Sequence, residues 1–219
     1  MAMSPASASG RQLSAAVLLD KDGTVLHDVP CNVDPARMRL APGAPAALRL
    51  LGGLGVPLVV VTNQPGVAHG LHTEAELVPV RDRLAAMFAE HGAVLAGFLY
   101  CPHHPEGRVA PYARACLCRK PMPGMLLQAA AAWRLDLARS WMIGDILNDV
   151  EAGNRAGCTT VLVDCGNETE WQLSPARQAD YVVRTLDAAA RLVVARMRAA
   201  DPAGAAASKA ASPSHAEAP

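Results

Sequence analysis

The stretch AAVLLDKDGT, Ala15 to Thr24, ends an apolar run in two aspartates, Asp20 and Asp22. Side chains at i and i+2 of an extended chain point the same way, which predicts that both carboxylates share one small volume. Anions that close repel, so either one takes up a proton or a cation lies between them. Two other apolar runs also stop at polar groups: VPLVVVTN ends in Thr62 and Asn63, and WMIGD ends in Asp145, with Asp149 following. Asp20, Asp22 and Asp145 make an all-oxygen set suited to Mg2+, a hard ion that keeps waters and works beside phosphate. A carboxylate nucleophile so placed is equipped for phosphoryl transfer through an aspartyl-phosphate. DKDGT alone is also an ordinary polar turn. The succession of Thr62, Lys120 and Asp145 behind it favours catalysis.

A second concentration of chemistry is CPHHPEGRVAPYARACLCRKP, Cys101 to Pro121. Cys101, His103, Cys116 and Cys118 offer three thiolates and one imidazole, a complete tetrahedral zinc set with no position left open, which predicts a structural site. A reducing cytosol disfavours disulfides, and buried core thiols fit poorly in so polar a loop. Pro102, Pro105, Gly107 and Pro111 break regular structure there, so a metal clamp is what would order the loop. Cys118 stands directly before Arg119 and Lys120, so the clamp is expected to present those two cations. His104 reads as a neighbour of the site, not a fifth ligand. Cys158 and Cys165 read as small core residues, and His69 and His72 as surface or capping residues without chemistry.

These residues need elements to position them. Five apolar runs, Ala15–Asp20, Val56–Asn63, Gly97–Cys101, Trp141–Asp145 and Thr159–Asp164, alternate with helical patterns at Pro45–Leu51, Thr73–His91, Pro123–Leu135, Asp149–Ala156 and Thr185–Ala199. Near-continuous apolar strands separated by helices predict an α/β fold, a doubly wound parallel sheet covered on both faces. Ligands of such sheets bind beyond the carboxyl ends of the strands, where the acids and hydroxyls stand. Thr73 and Glu76 form a capping-box pattern, and Pro79 implies a kink or a later helix start. GGLG at Gly52–Gly55 precedes a strand and reads as a turn.

The 219 residues predict one domain, over 14–198, between disordered tails at 1–13 and 199–219 that are rich in Ala, Ser and Pro. Twenty Lys plus Arg against twenty Asp plus Glu leave no basic field for nucleic acid. No run approaches the ~20 apolar residues of a membrane span. The N-terminus lacks a signal-peptide pattern, and a cytoplasmic monomer acting on a small phosphorylated metabolite is expected.

In this set of motifs the sequence resembles the haloacid dehalogenase (HAD) superfamily of phosphohydrolases. DKDGT resembles its first motif, VVVTN the second, the lysine of CRKP the third and GDILND the fourth. TNQPGVAHG, CPHHPEG, CLCRKPMPGM and GDILNDVEAG are, more narrowly, similar to the bacterial D-glycero-D-manno-heptose 1,7-bisphosphate 7-phosphatases and the histidinol-phosphate phosphatases. The resemblance spans about Val17 to Val183 and implies Asp20 as nucleophile and Asp22 as the acid and then base. It implies Thr62, Asn63, Arg119 and Lys120 as phosphate and substrate ligands. Asp20, the backbone carbonyl of Asp22 and Asp145 would hold catalytic Mg2+, with Asp149 orienting its waters, and the zinc loop is structural. HDVPCNVDP, His27 to Pro35, would be a substrate flap, with Cys31 where many relatives have an aromatic residue. Ile146 replaces the lysine usual after the motif-four aspartate. With no domain-sized insertion after either of the first two motifs, no substantial cap is expected. A receiver-like phosphoacceptor module and a zinc-clamped scaffold with a vestigial site are the competing classes; the DxDGT order, the zinc loop and the complete motif set speak against them.

Overall fold

The computed structural model describes residues 13–200. Six strands, β1 (Val17–Leu19), β2 (Leu58–Asn63), β3 (Leu95–Cys101), β4 (Trp141–Gly144), β5 (Thr159–Val163) and β6 (Tyr181–Val183), form one sheet in the order β3-β2-β1-β4-β5-β6. Every pairing is parallel. The helices are α1 (Ala44–Gly52), α2 (Gly66–His69), α3 (Leu77–Glu90), α4 (Gly124–Trp133), α5 (Leu147–Ala156) and α6 (Leu186–Ala200).

The period-two alternation of strands sorts the core into two layers. Val17 and Leu19 of β1, Leu58 and Val60 of β2 and Ile143 of β4 pack with Leu48 of α1, Phe88 of α3 and Val193 of α6 on one face. Leu18, Val59, Val61 and Met142 face the other way, onto Met125 and Leu126 of α4 and Ala152 of α5. Burial on both faces explains why these strands read as unbroken apolar runs. Each fully buried leucine or valine contributes roughly 1.5–3 kcal/mol of transfer free energy.

The chain leaves β1 toward β2 on one side, while β4 lies on the other, so the order reverses between β1 and β4. That switch point is where open sheets of this kind leave a crevice. Asp20 follows β1 and Asp145 follows β4, and Asp20 N donates to Ile143 O at 2.9 Å, bringing the two strand ends level.

The predicted fold class holds, and all five expected strands and five expected helices are present. Pro79 falls in the first turn of α3, where its missing N–H has no carbonyl to serve, so the helix starts late, at Leu77. Thr73 N and Oγ1 both donate to Glu76 Oε2, at 2.8 and 2.9 Å. Two elements were not anticipated: α2, a single turn, and β6, three residues on the sheet edge with Val182 exposed. Neither is long enough to carry a periodic pattern. The two tails fall almost entirely outside the described residues, although Ala199 and Ala200 belong to α6.

Candidate active site

Three buried carboxylates, Asp20, Asp145 and Asp149, each offer an oxygen within 4.8 Å of the others. Lys120, itself buried, reaches into them: Nζ bonds Asp20 Oδ1, lies 2.6 Å from Asp149 Oδ1, and donates to Val61 O at 2.9 Å. Burial opposes the charge on Lys120, but Asp149 and Asp20 together hold its ammonium above the ordinary lysine value. Three formal negative charges against one positive charge is an unbalanced group.

The imbalance shows in the acids. Burial first, then Asp20 and Asp149, push the Asp145 carboxyl up to about 8. Burial, opposed by Lys120, pushes Asp149 up to about 6. A divalent cation among these oxygens would supply the missing charge and keep all three ionised, so the donor set fits a hard, oxygen-loving ion. Asp145 is fixed for such a role: Thr24 Oγ1 donates to Oδ1 at 2.8 Å and Asn167 Nδ2 donates to Oδ2 at 2.7 Å. Gly23 follows the acid pair at φ +85°, and a β-carbon there would collide with the Asp145 carboxylate and with Asn167. Only glycine suits both demands.

The structure gives the two acids of the first motif different partners. The sequence puts the two carboxyls over one small volume, one held by a cation and the other free to protonate, and the resemblance has Asp22 meeting the metal through its backbone carbonyl. The Asp22 carboxylate accepts Gln64 Nε2 at 3.1 Å and pairs with Lys21 Nζ at 3.0 Å, while Asp149 joins Asp20 and Asp145 in the acid group. β1 ends at Leu19 and the turn begins at Lys21, between the two acids, so the extended geometry on which the i, i+2 argument rested does not reach Asp22. Burial raises the Asp22 carboxyl, with Lys21 opposing and Asp20 adding to the rise. That direction suits a proton donor.

Thr62 is buried at the end of β2, its Oγ1 accepting Gln64 Nε2 at 3.1 Å. Asn63 turns its side chain to the backbone of Lys120: Nδ2 donates to Lys120 O at 3.1 Å, and Lys120 N donates to Oδ1 at 3.0 Å. Its side chain therefore positions the lysine. Arg119 is half-buried, and its Nη1 is a buried donor with no hydrogen-bond partner among the described residues. Ile146 N donates to Asp149 Oδ2 at 3.3 Å, so the residue in the lysine's place serves through its backbone.

Sequence reasoning passed over Lys21, Gln64 and Asn167. The first two lie inside quoted motifs, but nothing in a single sequence marks a lysine as 2% exposed. Asn167 lies in the loop after β5, outside any motif.

Cys101, His103, Cys116 and Cys118 form a second group whose ligand atoms also lie within 4.8 Å of one another. Cys118 Sγ is 3.2 Å from both Cys101 Sγ and Cys116 Sγ, and His103 Nδ1 is 3.3 Å from Cys118 Sγ. Three thiols and a ring nitrogen converging so closely fit a tetrahedral zinc. All six cysteines are free thiols. Cys158 is buried as expected, but Cys165 is exposed, because the strand it follows has already ended.

His72 also departs from its surface assignment. It is 6% exposed, packed against Gly66, with neither ring nitrogen hydrogen-bonded among the described residues. Burial lowers its pKa below the ordinary 6.5, Glu76 opposing and Lys21 adding. A histidine depressed in the folded state binds protons more readily when unfolded. Its contribution to stability is therefore present above 6.5 and lost as pH falls from there through the folded-state value. A His72→Phe protein should accordingly keep its urea midpoint better than wild type on acidification below 6.5, while the two change in parallel above it.

A parallel doubly wound sheet with an acid group and a buried lysine at its switch point fits a phosphohydrolase. The HAD-hydrolase-like family pattern matches residues 117–189. The chain is 38% identical over 184 residues to D-glycero-beta-D-manno-heptose-1,7-bisphosphate 7-phosphatase of Yersinia pestis, covering 84% of this chain and 97% of that one. It is 39% identical over 172 residues to the protein of the same name from Escherichia coli K12, covering 78% and 89%. The crystal structure of D,D-heptose 1,7-bisphosphate phosphatase from B. bronchiseptica, complexed with magnesium and phosphate, matches with a TM-score of 0.68 at 30% identity. It covers 83% of this chain and 99% of that one. The chain belongs to the haloacid dehalogenase superfamily and is one of its phosphatases, hydrolysing phosphoric monoesters. No helix among the described residues is long and apolar enough to cross a membrane.

Proposed function

We propose that this phosphatase removes the 7-phosphate of D-glycero-D-manno-heptose 1,7-bisphosphate with the help of Mg2+. The observation that carries the chemistry is the meeting of Asp20, Asp145 and Asp149 around Lys120. The substrate rests on the two heptose-bisphosphate relatives, each covered over most of its length.

Asp20 attacks phosphorus with one carboxylate oxygen, and the bond to the sugar oxygen breaks. Asp22 gives its proton to that leaving oxygen. The Asp22 carboxylate then takes a proton from water, whose oxygen attacks the phosphorus of the aspartyl-phosphate. Inorganic phosphate leaves and the Asp20 carboxylate is restored. Lys120 and the Thr62 hydroxyl face the phosphoryl oxygens, and the unpaired Nη1 of Arg119 reaches the rest of the substrate. Asp20, the Asp22 carbonyl and Asp145 would hold Mg2+, joined by Asp149. The ion, when bound, neutralises phosphoryl charge and orients the ester. Zinc at Cys101, His103, Cys116 and Cys118 would cross-link the loop that carries Arg119 and Lys120, and Arg119 N already donates to Cys116 Sγ at 3.3 Å. Six cysteines, none of them paired in a disulfide among the described residues, suit a reducing cytoplasm.

The test is phosphate release from heptose 1,7-bisphosphate, histidinol phosphate and simple hexose phosphates, with and without Mg2+. The heptose ester should give the highest kcat/KM, and activity should disappear on chelation. Preference for histidinol phosphate would replace the substrate while keeping the chemistry. Equal, feeble rates on every ester would remove both substrates.

A further inference from the structure

Three ties of the zinc loop fall on one stretch, from the last residue of β2 to the turn before α3. Asn63 holds the backbone of Lys120 at the loop's end. Ala68 O, in α2, accepts both Arg108 N at 2.7 Å and Val109 N at 2.9 Å. Glu74, in the turn before α3, accepts two tyrosine hydroxyls: Tyr112 OH on Oε1 at 2.5 Å and Tyr100 OH on Oε2 at 2.7 Å. Tyr112 lies between the two halves of the cysteine set, and Tyr100 immediately precedes the first zinc-binding cysteine.

Hydroxyl-to-carboxylate bonds of this length are charge-assisted and about twice as strong as neutral ones. Tyr100, then Tyr112, hold the Glu74 carboxyl below the ordinary glutamate range. Burial and Glu74 push the Tyr100 hydroxyl up to about 12. One carboxylate thus joins the strand end, the loop interior and the turn before α3. Nothing in the phosphatase mechanism uses Glu74, and its neighbours Ala75 and Glu76 face solvent.

We infer that Glu74 is a positioning residue for the metal loop: by gripping Tyr112 and Tyr100 together it keeps the Cys101–Cys118 loop closed and slows the loss of its zinc. The inference rests on the zinc reading of Cys101, His103, Cys116 and Cys118. Its mechanical half, closure of the loop, stands on the tyrosine geometry alone.

The experiment uses the full chain and two readouts. One is zinc release to a chromophoric chelator. The other is tryptic cleavage after the exposed Arg108 and Arg114, located by mass. Tyr112→Phe and Glu74→Ala should each release zinc about 10-fold faster, the low end of what losing groups that support a metal site costs, and should be cut faster at both arginines. The double variant should be no faster than Glu74→Ala alone, because losing Glu74 already removes the bond that Tyr112→Phe breaks. Glu74→Gln should recover part of the difference, since its amide oxygen still accepts one hydroxyl. Thermal midpoints of the zinc-loaded proteins should stay together, which separates a grip on the loop from general destabilisation. Wild-type rates in both single variants, or additive effects in the double, would overturn the inference. A wild-type protein carrying no zinc would defeat the zinc reading, and the cleavage rates would still decide whether Glu74 closes the loop.

Discussion

Replacing Asp20 with asparagine should abolish turnover, lowering kcat by at least about 10^4-fold, on the scale of losing a covalent nucleophile. The substitution is nearly isosteric and removes one of three crowded negative charges. Without metal it should leave the fold as stable as wild type, because Lys120 keeps Asp149 as a partner at 2.6 Å. Phosphate release and intact-protein mass after a quench test both halves: the wild-type chain should show a transient gain of one phosphoryl group, and the variant none. An Asp20→Asn protein that hydrolyses esters at the wild-type rate would end the aspartyl-phosphate reading. So would a phosphoryl group found on another residue.

Lys120→Met should have a double effect, because this side chain both faces the phosphoryl group and balances the acids beneath it. Loss of a preorganised cation aimed at developing charge costs about 10^2- to 10^3-fold in kcat. Asp20 and Asp149 also lose their buried partner. Breaking a buried pair by removing one member typically costs about 3–5 kcal/mol, mostly the penalty on the charge left behind. Added Mg2+ should restore much of the stability, since it supplies charge to the same oxygens, but not kcat. Denaturation midpoints and turnover, each measured with and without Mg2+, separate the two roles. Arginine should not substitute. Its planar fork cannot take the place of one nitrogen set among Asp20, Asp149 and the Val61 carbonyl. Midpoints insensitive to both the substitution and Mg2+ would show that the lysine does not balance the acids.

Lys120 and Glu74 act through one construction. The phosphate end of the site is made by the termini of β1, β2 and β4, but the lysine arrives from a loop with little regular structure. Asn63, Ala68 and Glu74 fasten that loop to the end of β2 and the chain that follows it, so Thr62 and the residues that hold the metal loop belong to one continuous stretch. Loosening the loop should therefore reach Lys120 and Arg119 before it reaches the sheet.

The sequence by itself determined the α/β class, because strands buried on both faces leave unbroken apolar runs that a short window can detect, as in Val59 to Val61. It also determined the chemistry available, since acids, hydroxyls and thiols at strand ends and fixed spacings are local facts. Which of those groups meet was decided only by the tertiary structure. The turn that begins at Lys21 leaves Asp22 with Lys21 and Gln64, while α5 brings Asp149 to Asp20 across more than a hundred residues. The burial of His72 against Gly66 and the grip of Asn167 on Asp145 are likewise contacts between segments distant in the chain or bent back on themselves. A polar residue's type does not say whether it will be solvated or enclosed. That depends on the packing of elements around it, and local patterns carry no record of it.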